Sequence, residues 1–291
     1  MQLIPFDDRD GFIWMNGKVQ IWNQAKVHVL NHGLHYGSCV FEGIRVYDKK
    51  IFKFDEHIER LFFSAKILDL DLPYTKEDIK RSTSLIVNKQ KINDGYIRPV
   101  VWRGSEMMAI SAKKGTINVA IAAWKWPSYF SPEQILKGIK MSVADWKRPP
   151  PDCAPTNSKA AGLYMICSLS KHKAESLGFD DALMLDYRNN IAEATGANIF
   201  FVKGGRLITP KADCFLDGIT RKTVINLSKK LGIEVEEKHI KLDFLKGCDE
   251  AFLTGTAVEI TPIRKIADYV FSKRDITKRL ISEFKDYVAN T

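Results

Sequence analysis

Four prolines fall between Arg148 and Asn157 (Pro149, Pro150, Pro151 and Pro155). Each fixes its own φ and lacks a backbone N–H, so neither a helix interior nor a central strand can pass through this segment. A second break, Trp126-Pro127-Ser128-Tyr129-Phe130-Ser131-Pro132, interrupts the periodicity earlier in the chain. The 291-residue chain must therefore build its regular structure around two irregular joints. The earlier joint is the better domain boundary, which predicts a smaller N-terminal domain over 1–125, a linker over 126–135 and a larger C-terminal domain over 136–291.

Within those parts strands and helices mix. Phe12 to Met15 and Lys18 to Trp22 flank Asn16-Gly17, a favoured hairpin dipeptide, and Ile44 to Tyr47 with Ile51 to Phe54 flank a second turn. Asp55 is the expected cap of a helix whose stripe is Ile58, Leu61, Phe62, Ala65 and Leu68. Thr75 with Asp78 has the spacing of a capping box and opens a further helix to about Lys91. Strands are expected at Tyr96 to Trp102, Ile117 to Ala123 and Ile139 to Trp146, then a helix from about Ala160 to Leu177 ended by Gly178. Short strands follow at Ala182 to Leu185, Ile191 to Ala194, Asn198 to Val202 and Arg206 to Ile208. Ile219 to Leu231 reads as a helix, Glu250 to Thr254 as a strand and Asp275 to Val288 as a final helix. This is a mixed α/β (α+β) pattern without the strict alternation of a doubly wound sheet. Neither GxGxxG nor GxxxxGK[ST] occurs.

Composition narrows the function classes. With 45% hydrophobic and 27% charged residues the chain has ample material for a core, and no apolar run reaches the roughly 20 residues that span a bilayer. The acidic N-terminal segment lacks the pattern of a secretion signal, so a cytoplasmic location is expected. The net charge of +9 comes from scattered lysines without a base-stacking motif, which favours anionic small molecules over nucleic acid. Five cysteines, Cys39, Cys153, Cys167, Cys214 and Cys248, form no CxxC pair, so neither a metal site nor a disulfide framework is expected.

Several segments could carry chemistry, each with a bland alternative. Lys159 lies between the proline-broken loop and an apolar helix, where it is either a reactive amine or a solvated first-turn residue. Glu193 sits among small and apolar residues; a buried carboxylate there wants a cationic partner, whereas an edge-strand glutamate faces water. Gly218-Ile219-Thr220-Arg221 opens a helix whose free N–H groups make an anion pocket or an ordinary capped start. Gly255-Thr256-Ala257 follows an apolar strand and gives close backbone approach to a ligand, or merely a turn.

Taken in order, these blocks resemble one family, the fold-type IV pyridoxal-phosphate enzymes, and within it the branched-chain amino acid aminotransferases. The matching blocks are His35-Tyr36-Gly37 with Val40-Phe41-Glu42-Gly43-Ile44-Arg45; His57 to Arg60 with Leu61; Tyr96-Ile97-Arg98-Pro99; and Lys159 with Gly162 and Tyr164. They continue with Glu193 and Asn198-Ile199-Phe200, Gly218 to Arg221, and Gly255 to Pro262. The resemblance implies two α/β domains with the cofactor at their interface. It implies reversible amino transfer between L-leucine, L-isoleucine or L-valine and 2-oxoglutarate, with pyridoxal 5′-phosphate joined covalently to Lys159. Glu193 would take the pyridine nitrogen and Tyr164 the phenolic oxygen. Arg60, Gly218, Ile219, Thr220 and Thr256 would hold the phosphate. Phe41, Gly43, Tyr96, Trp126 and Tyr129 would form the apolar side-chain pocket, with Tyr36 and Ile110 supplied by a partner subunit of a homodimer or larger homo-oligomer such as a hexamer. Thr256 and Ala257 would meet the α-carboxylate, and Arg98, supported by Arg45, the second carboxylate of an acidic substrate. In place of the family's frequent Gly-Glu-Asn stands Gly196-Ala197-Asn198. This is also similar to D-amino acid aminotransferases and aminodeoxychorismate lyases of the same fold, the alternative reactions.

Overall fold

The computed structural model describes residues 4–126 and 129–290. Met1–Leu3 of the N-terminal segment, Pro127 and Ser128 of the first break, and Thr291 lie outside the described residues. The chain divides into two compact units: residues 1–127 with Ser158–Gly162, and Ser128–Asn157 with Leu163–Thr291.

The first unit contains, in order, β1 (Phe12–Met15), β2 (Lys18–Ile21), α1 (His32–Tyr36), β3 (Cys39–Phe41), β4 (Ile44–Tyr47), β5 (Lys50–Ile51), α2 (Phe54–Ile67), α3 (Lys76–Lys89), β6 (Gly95–Arg103) and β7 (Ile117–Lys125). Among the described residues its strands form one antiparallel sheet in the order β2-β1-β7-β6-β4-β5, with β3 also paired to β6. Asn16 and Gly17 take the positive φ values that a type I′ turn demands. The second expected hairpin forms with a two-residue return strand, and Phe54 belongs to the helix instead. Lys53, in the left-handed conformation, is the N-cap of α2; Asp55 lies within the first turn, where its charge complements the helix dipole. The Thr75–Asp78 capping box is present at α3. Ile58, Leu61 and Ala65 of α2 and Ile79, Ile86 and Val87 of α3 pack on Ile97, Val101, Val119 and Ile121 of the sheet. Each such Ile or Leu contributes about 1.5–3 kcal/mol by leaving water.

The second unit continues with α4 (Pro132–Lys137), β8 (Ile139–Val143), α5 (Met165–Ser176), β9 (Asp181–Leu185), β10 (Ile191–Ala194), β11 (Asn198–Lys203), β12 (Arg206–Pro210), α6 (Ile219–Lys230), β13 (Val235–Lys238), β14 (Glu250–Gly255), β15 (Glu259–Ile266), β16 (Tyr269–Val270) and α7 (Asp275–Asn290). The strand order is β10-β9-β8-β15-β14-β11-β12-β13, with β16 on β15. Pairing is parallel at β8–β9, β8–β15 and β12–β13 and antiparallel elsewhere. The strand expected to reach Trp146 stops at Val143, and the helix expected from Ala160 begins as a 3-10 turn at Ala161–Tyr164 before α5. Ile199, Phe201, Leu253, Ile263 and Met141 fill the core of this unit.

Candidate active site

Lys159 belongs by its packing to the first unit, although the residues on either side of Ser158–Gly162 belong to the second. Its backbone is gripped twice: its N–H donates to Ser64 Oγ on α2 at 2.9 Å, and its carbonyl accepts from the Phe41 N–H at 3.2 Å. Ala160 bridges Val40 alongside. The half-buried amine lies 5.1 Å from the centre of the Phe41 ring, and the Arg98 guanidinium lies 4.6 Å from the same ring centre. An aromatic face attracts both cations. Ser64, wholly buried, carries no sequence signal that would set it apart from other small residues on the core face of α2.

The same unit brings Phe41, Arg98, Tyr96, Trp126 and Arg45 together. The Tyr96 ring lies 5.4 Å from that of Trp126 and 5.5 Å from the Arg98 guanidinium, and Arg45 Nη1 donates to the Trp126 carbonyl at 3.0 Å. Trp124 joins this wall 5.3 Å from Tyr96, a residue that sequence reasoning missed because nothing separates it from a core tryptophan. A Cβ at Gly43 would stand 1.8 Å from the Tyr96 hydroxyl, so the space at Gly43 is taken up by Tyr96 itself. Tyr36 and Ile110 stand apart from this wall: they are 45% and 83% exposed, and Tyr36 packs on His32.

Arg60, one residue off the core stripe of α2, donates from Nε and Nη2 to the two oxygens of Glu42 at 2.6 and 2.9 Å. His57 Nδ1 lies 2.7 Å from Glu42 Oε2. Burial pushes the Glu42 carboxyl up, but Arg60 and then His57 hold it well below the usual carboxylate range.

In the second unit Glu193 lies on β10, 8% exposed, with Arg148 Nε 3.3 Å from Oε1 and Asn198 Nδ2 3.4 Å from Oε2. Arg148 is the cationic partner a buried carboxylate requires, yet it sits at the head of the proline run, where spacing gives no hint of it. Burial works most strongly against its charge, but the Glu193 carboxylate, with Cys167 and Tyr164 adding to it, offsets that and raises the guanidinium above its ordinary value. Asn198 also accepts from the Gly218 N–H at 3.2 Å and donates to the Leu216 carbonyl at 3.0 Å. It thereby ties Glu193 to the N-terminus of α6, where Ile219 and Thr220 are buried. A side chain at 218 would meet Asn198 Oδ1 at 2.2 Å and push this turn apart. Arg221 anchors the turn from behind through Asp217, Glu237 and the Pro210 carbonyl. Tyr164 is half-buried where the 3-10 turn meets α5, and Thr256 and Ala257 form the turn between β14 and β15. The Tyr129 ring packs on Phe130 and lies 5.6 Å from the Lys171 amine. Ala197 is buried against Gly255, a place that suits an uncharged side chain.

Among the cysteines, burial pushes the thiols of Cys39, Cys167 and Cys248 up to about 11 and that of Cys214 up to about 12. These groups are poor nucleophiles at neutral pH. Asp186, Asp213 and Cys214 cluster closely enough for a metal, but Arg188 already bonds both carboxylates.

Most of the chain matches the model of a known protein family. The amino-transferase class IV family matches residues 39–266. A Rickettsia bellii protein named "Probable branched-chain-amino-acid aminotransferase" is 47% identical over 255 residues, 88% of this chain and 87% of that protein. The branched-chain-amino-acid aminotransferase of Pseudomonas aeruginosa is 41% identical over 263 residues, 89% of this chain and 86% of that one. The crystal structure of a T.th. branched-chain amino acid aminotransferase with pyridoxamine 5′-phosphate superposes with a TM-score of 0.93 at 35% identity, covering 97% of this chain and 95% of that one. The chain belongs to the class IV aminotransferases and, among them, to the branched-chain amino-acid aminotransferases.

Proposed function

We propose that the chain transfers an amino group reversibly between L-leucine, L-isoleucine or L-valine and 2-oxoglutarate, with Lys159 as the catalytic amine and pyridoxal 5′-phosphate as cofactor. The observation that carries this reading is the double backbone grip on Lys159, which presents one amine at the Phe41 face beside Arg98. The donor set fits the cofactor: an amine for an aldehyde, a buried carboxylate beside a guanidinium for a protonated ring nitrogen, and an arginine and a glycine-opened helix start for a phosphate. When bound, pyridoxal 5′-phosphate supplies the aldehyde carbon and a protonated ring that draws in the electrons released at the substrate Cα.

Lys159 would hold the cofactor aldehyde, and its amine would move a proton between substrate Cα and cofactor C4′. Glu193 would accept from the ring nitrogen and keep the proton there, with Arg148 beside it as the carboxylate's cationic partner. Tyr164 donates to the phenolic oxygen. Arg60, Thr256 and the backbone N–H groups of Gly218, Ile219 and Thr220 bind the phosphate. Phe41, Tyr96, Trp126 and Tyr129 wall the apolar pocket, with Gly43 admitting Tyr96 into that wall. Thr256-Ala257 would take the α-carboxylate, and Arg98 the second carboxylate of 2-oxoglutarate or glutamate, with Arg45 as a support for that end of the pocket.

The test is the absorbance spectrum of the purified protein. A visible band that borohydride fixes onto Lys159, that bleaches on adding L-leucine, and that Lys159→Ala lacks together with all but about a ten-thousandth of turnover, supports the reading. A protein that makes no glutamate from L-leucine while consuming D-alanine overturns it.

The second copy completes the assembly. Tyr36 and Ile110, with Val29, Leu30 and Leu34, expose apolar surface on the first unit, as a face covered by a homodimer or a larger homo-oligomer does. A sedimentation mass of one chain contradicts this. Among the described residues no helix is long and apolar enough to cross a membrane, and a cytoplasmic location agrees with five cysteines outside any disulfide. Fractionation that places the protein elsewhere removes this last element.

A further inference from the structure

Glu42 has no exposed surface, yet its carboxylate is the centre of a charged network and, of the side chains assigned above, bonds only that of Arg60. Its two oxygens accept from Arg60 Nε and Nη2, its Oε2 lies 2.7 Å from His57 Nδ1, and the Gly43 N–H reaches Oε2 at 3.3 Å. His57 is equally enclosed. Burial pulls its pKa below the ordinary value against the pull of Glu42, so the ring is neutral and its Nδ1–H donates a hydrogen bond to the carboxylate; Nε2 has no hydrogen-bond partner among the described residues. A buried ion pair of this kind is no more stable than a well-packed apolar replacement. Its value lies elsewhere, in geometry.

A guanidinium is a rigid plane with two forks, Nε/Nη2 along one side and Nη1/Nη2 at the end. A carboxylate seated on the first fork fixes the plane and therefore the direction of the second. We propose that Glu42, locked in turn by His57, is a positioning residue that sets Arg60 to present its end fork to the cofactor phosphate. The proposal rests on the phosphate role assigned to Arg60. Without Glu42 the long arginine must be ordered when the phosphate binds, and that ordering weakens binding. Glu42 also cancels the charge of Arg60, so removing it tests orientation against charge: pure electrostatics would tighten the phosphate, and lost orientation loosens it.

The experiment compares two ligands on the full chain stripped of cofactor: pyridoxal 5′-phosphate, and pyridoxal, which has the same ring and aldehyde but no phosphate. Affinities are read from the absorbance of the lysine-bound aldehyde, without turnover. Arg60→Met should weaken pyridoxal 5′-phosphate and spare pyridoxal. Glu42→Gln, which keeps shape and an acceptor oxygen, should weaken pyridoxal 5′-phosphate by about tenfold, the scale on which outer partners act on a ligand-binding group, and again spare pyridoxal. His57→Phe should move the ratio the same way and His57→Asn, which returns a donor near Nδ1, should restore it. If Arg60→Met leaves the ratio of the two affinities unchanged, the phosphate role of Arg60 fails. If Arg60→Met lowers that ratio but Glu42→Gln leaves it unchanged or raises it, Glu42 does not position Arg60. Should Glu42→Gln not fold, the His57 pair decides: a ratio unmoved by His57→Phe overturns the proposal.

Discussion

Two buried carboxylates in this chain are held in different ways. Glu42, in the first unit, lies within 2.6–2.9 Å of two cationic nitrogens and one imidazole nitrogen. Glu193, in the second, meets Arg148 at 3.3 Å and Asn198 at 3.4 Å. Short charge-assisted bonds fix a side chain and are expensive to undo, because either partner left alone is a buried charge. Glu193 meets the Arg148 guanidinium and the Asn198 amide at longer range. The difference separates a group that holds another side chain from one suited to hold a ligand proton.

Truncation is the harshest way to break this comparison. Glu42→Ala strands Arg60 and His57 and should cost about 3 kcal/mol, the lower end for a broken buried pair. Arg148→Met leaves similar volume beside Glu193 but removes its longer-range ion pair, so a smaller loss, about 1 kcal/mol, is expected. Urea midpoints of the two holoenzyme variants measure both; equal losses would show that the two carboxylates are held alike. Next in size, Glu193→Gln should retain the cofactor but slow conversion of L-leucine by about a hundredfold, the effect of removing one group aimed at developing charge. Stopped-flow absorbance reads that step, and a rate within a factor of about three of the parent would deny Glu193 its hold on the ring proton.

The contrast was only partly legible in the chain. Local signals read well: the Asn16-Gly17 turn, the Thr75–Asp78 capping box and the apolar stripe of α2 are each set by residues within a few positions of one another. The grip on Lys159 joins it to Phe41 and Ser64, far away in sequence, and no periodicity reports such a pairing. Glu42 follows a short strand while its partners sit a turn apart on α2, so the motif was visible and the bonds were not. Strand β15 was hidden for another reason: it contains Pro262, which argues against an inner strand, and it begins at Glu259 in a left-handed conformation. The pairing of β15 with both β8 and β14 is a tertiary fact that overrides that local preference.

The smallest effect sharpens the comparison through pH. Burial, outweighing the attraction of Glu42, holds the His57 imidazole below its ordinary value, with Arg60 and Lys159 adding repulsion. Glu42 is likewise held low: burial raises it, but Arg60 and His57 lower it further. As pH falls through about 6.5 the unfolded chain takes up a proton at His57 before the folded chain does, so protons favour the unfolded state and stability drops. The carboxyl of Glu42 repeats this below about pH 4.3, in the same direction. The stabilisation is thus complete above neutral pH and is lost in two steps on acidification, the imidazole step first. His57→Asn removes the first step and should narrow the gap between urea midpoints measured at about pH 7.5 and about pH 5.5. Arg148→Met, which touches no imidazole among its described contacts, should leave that gap as it was. An unchanged gap in His57→Asn, or one that narrows equally in both variants, would place the acid-sensitive step outside the network around Glu42.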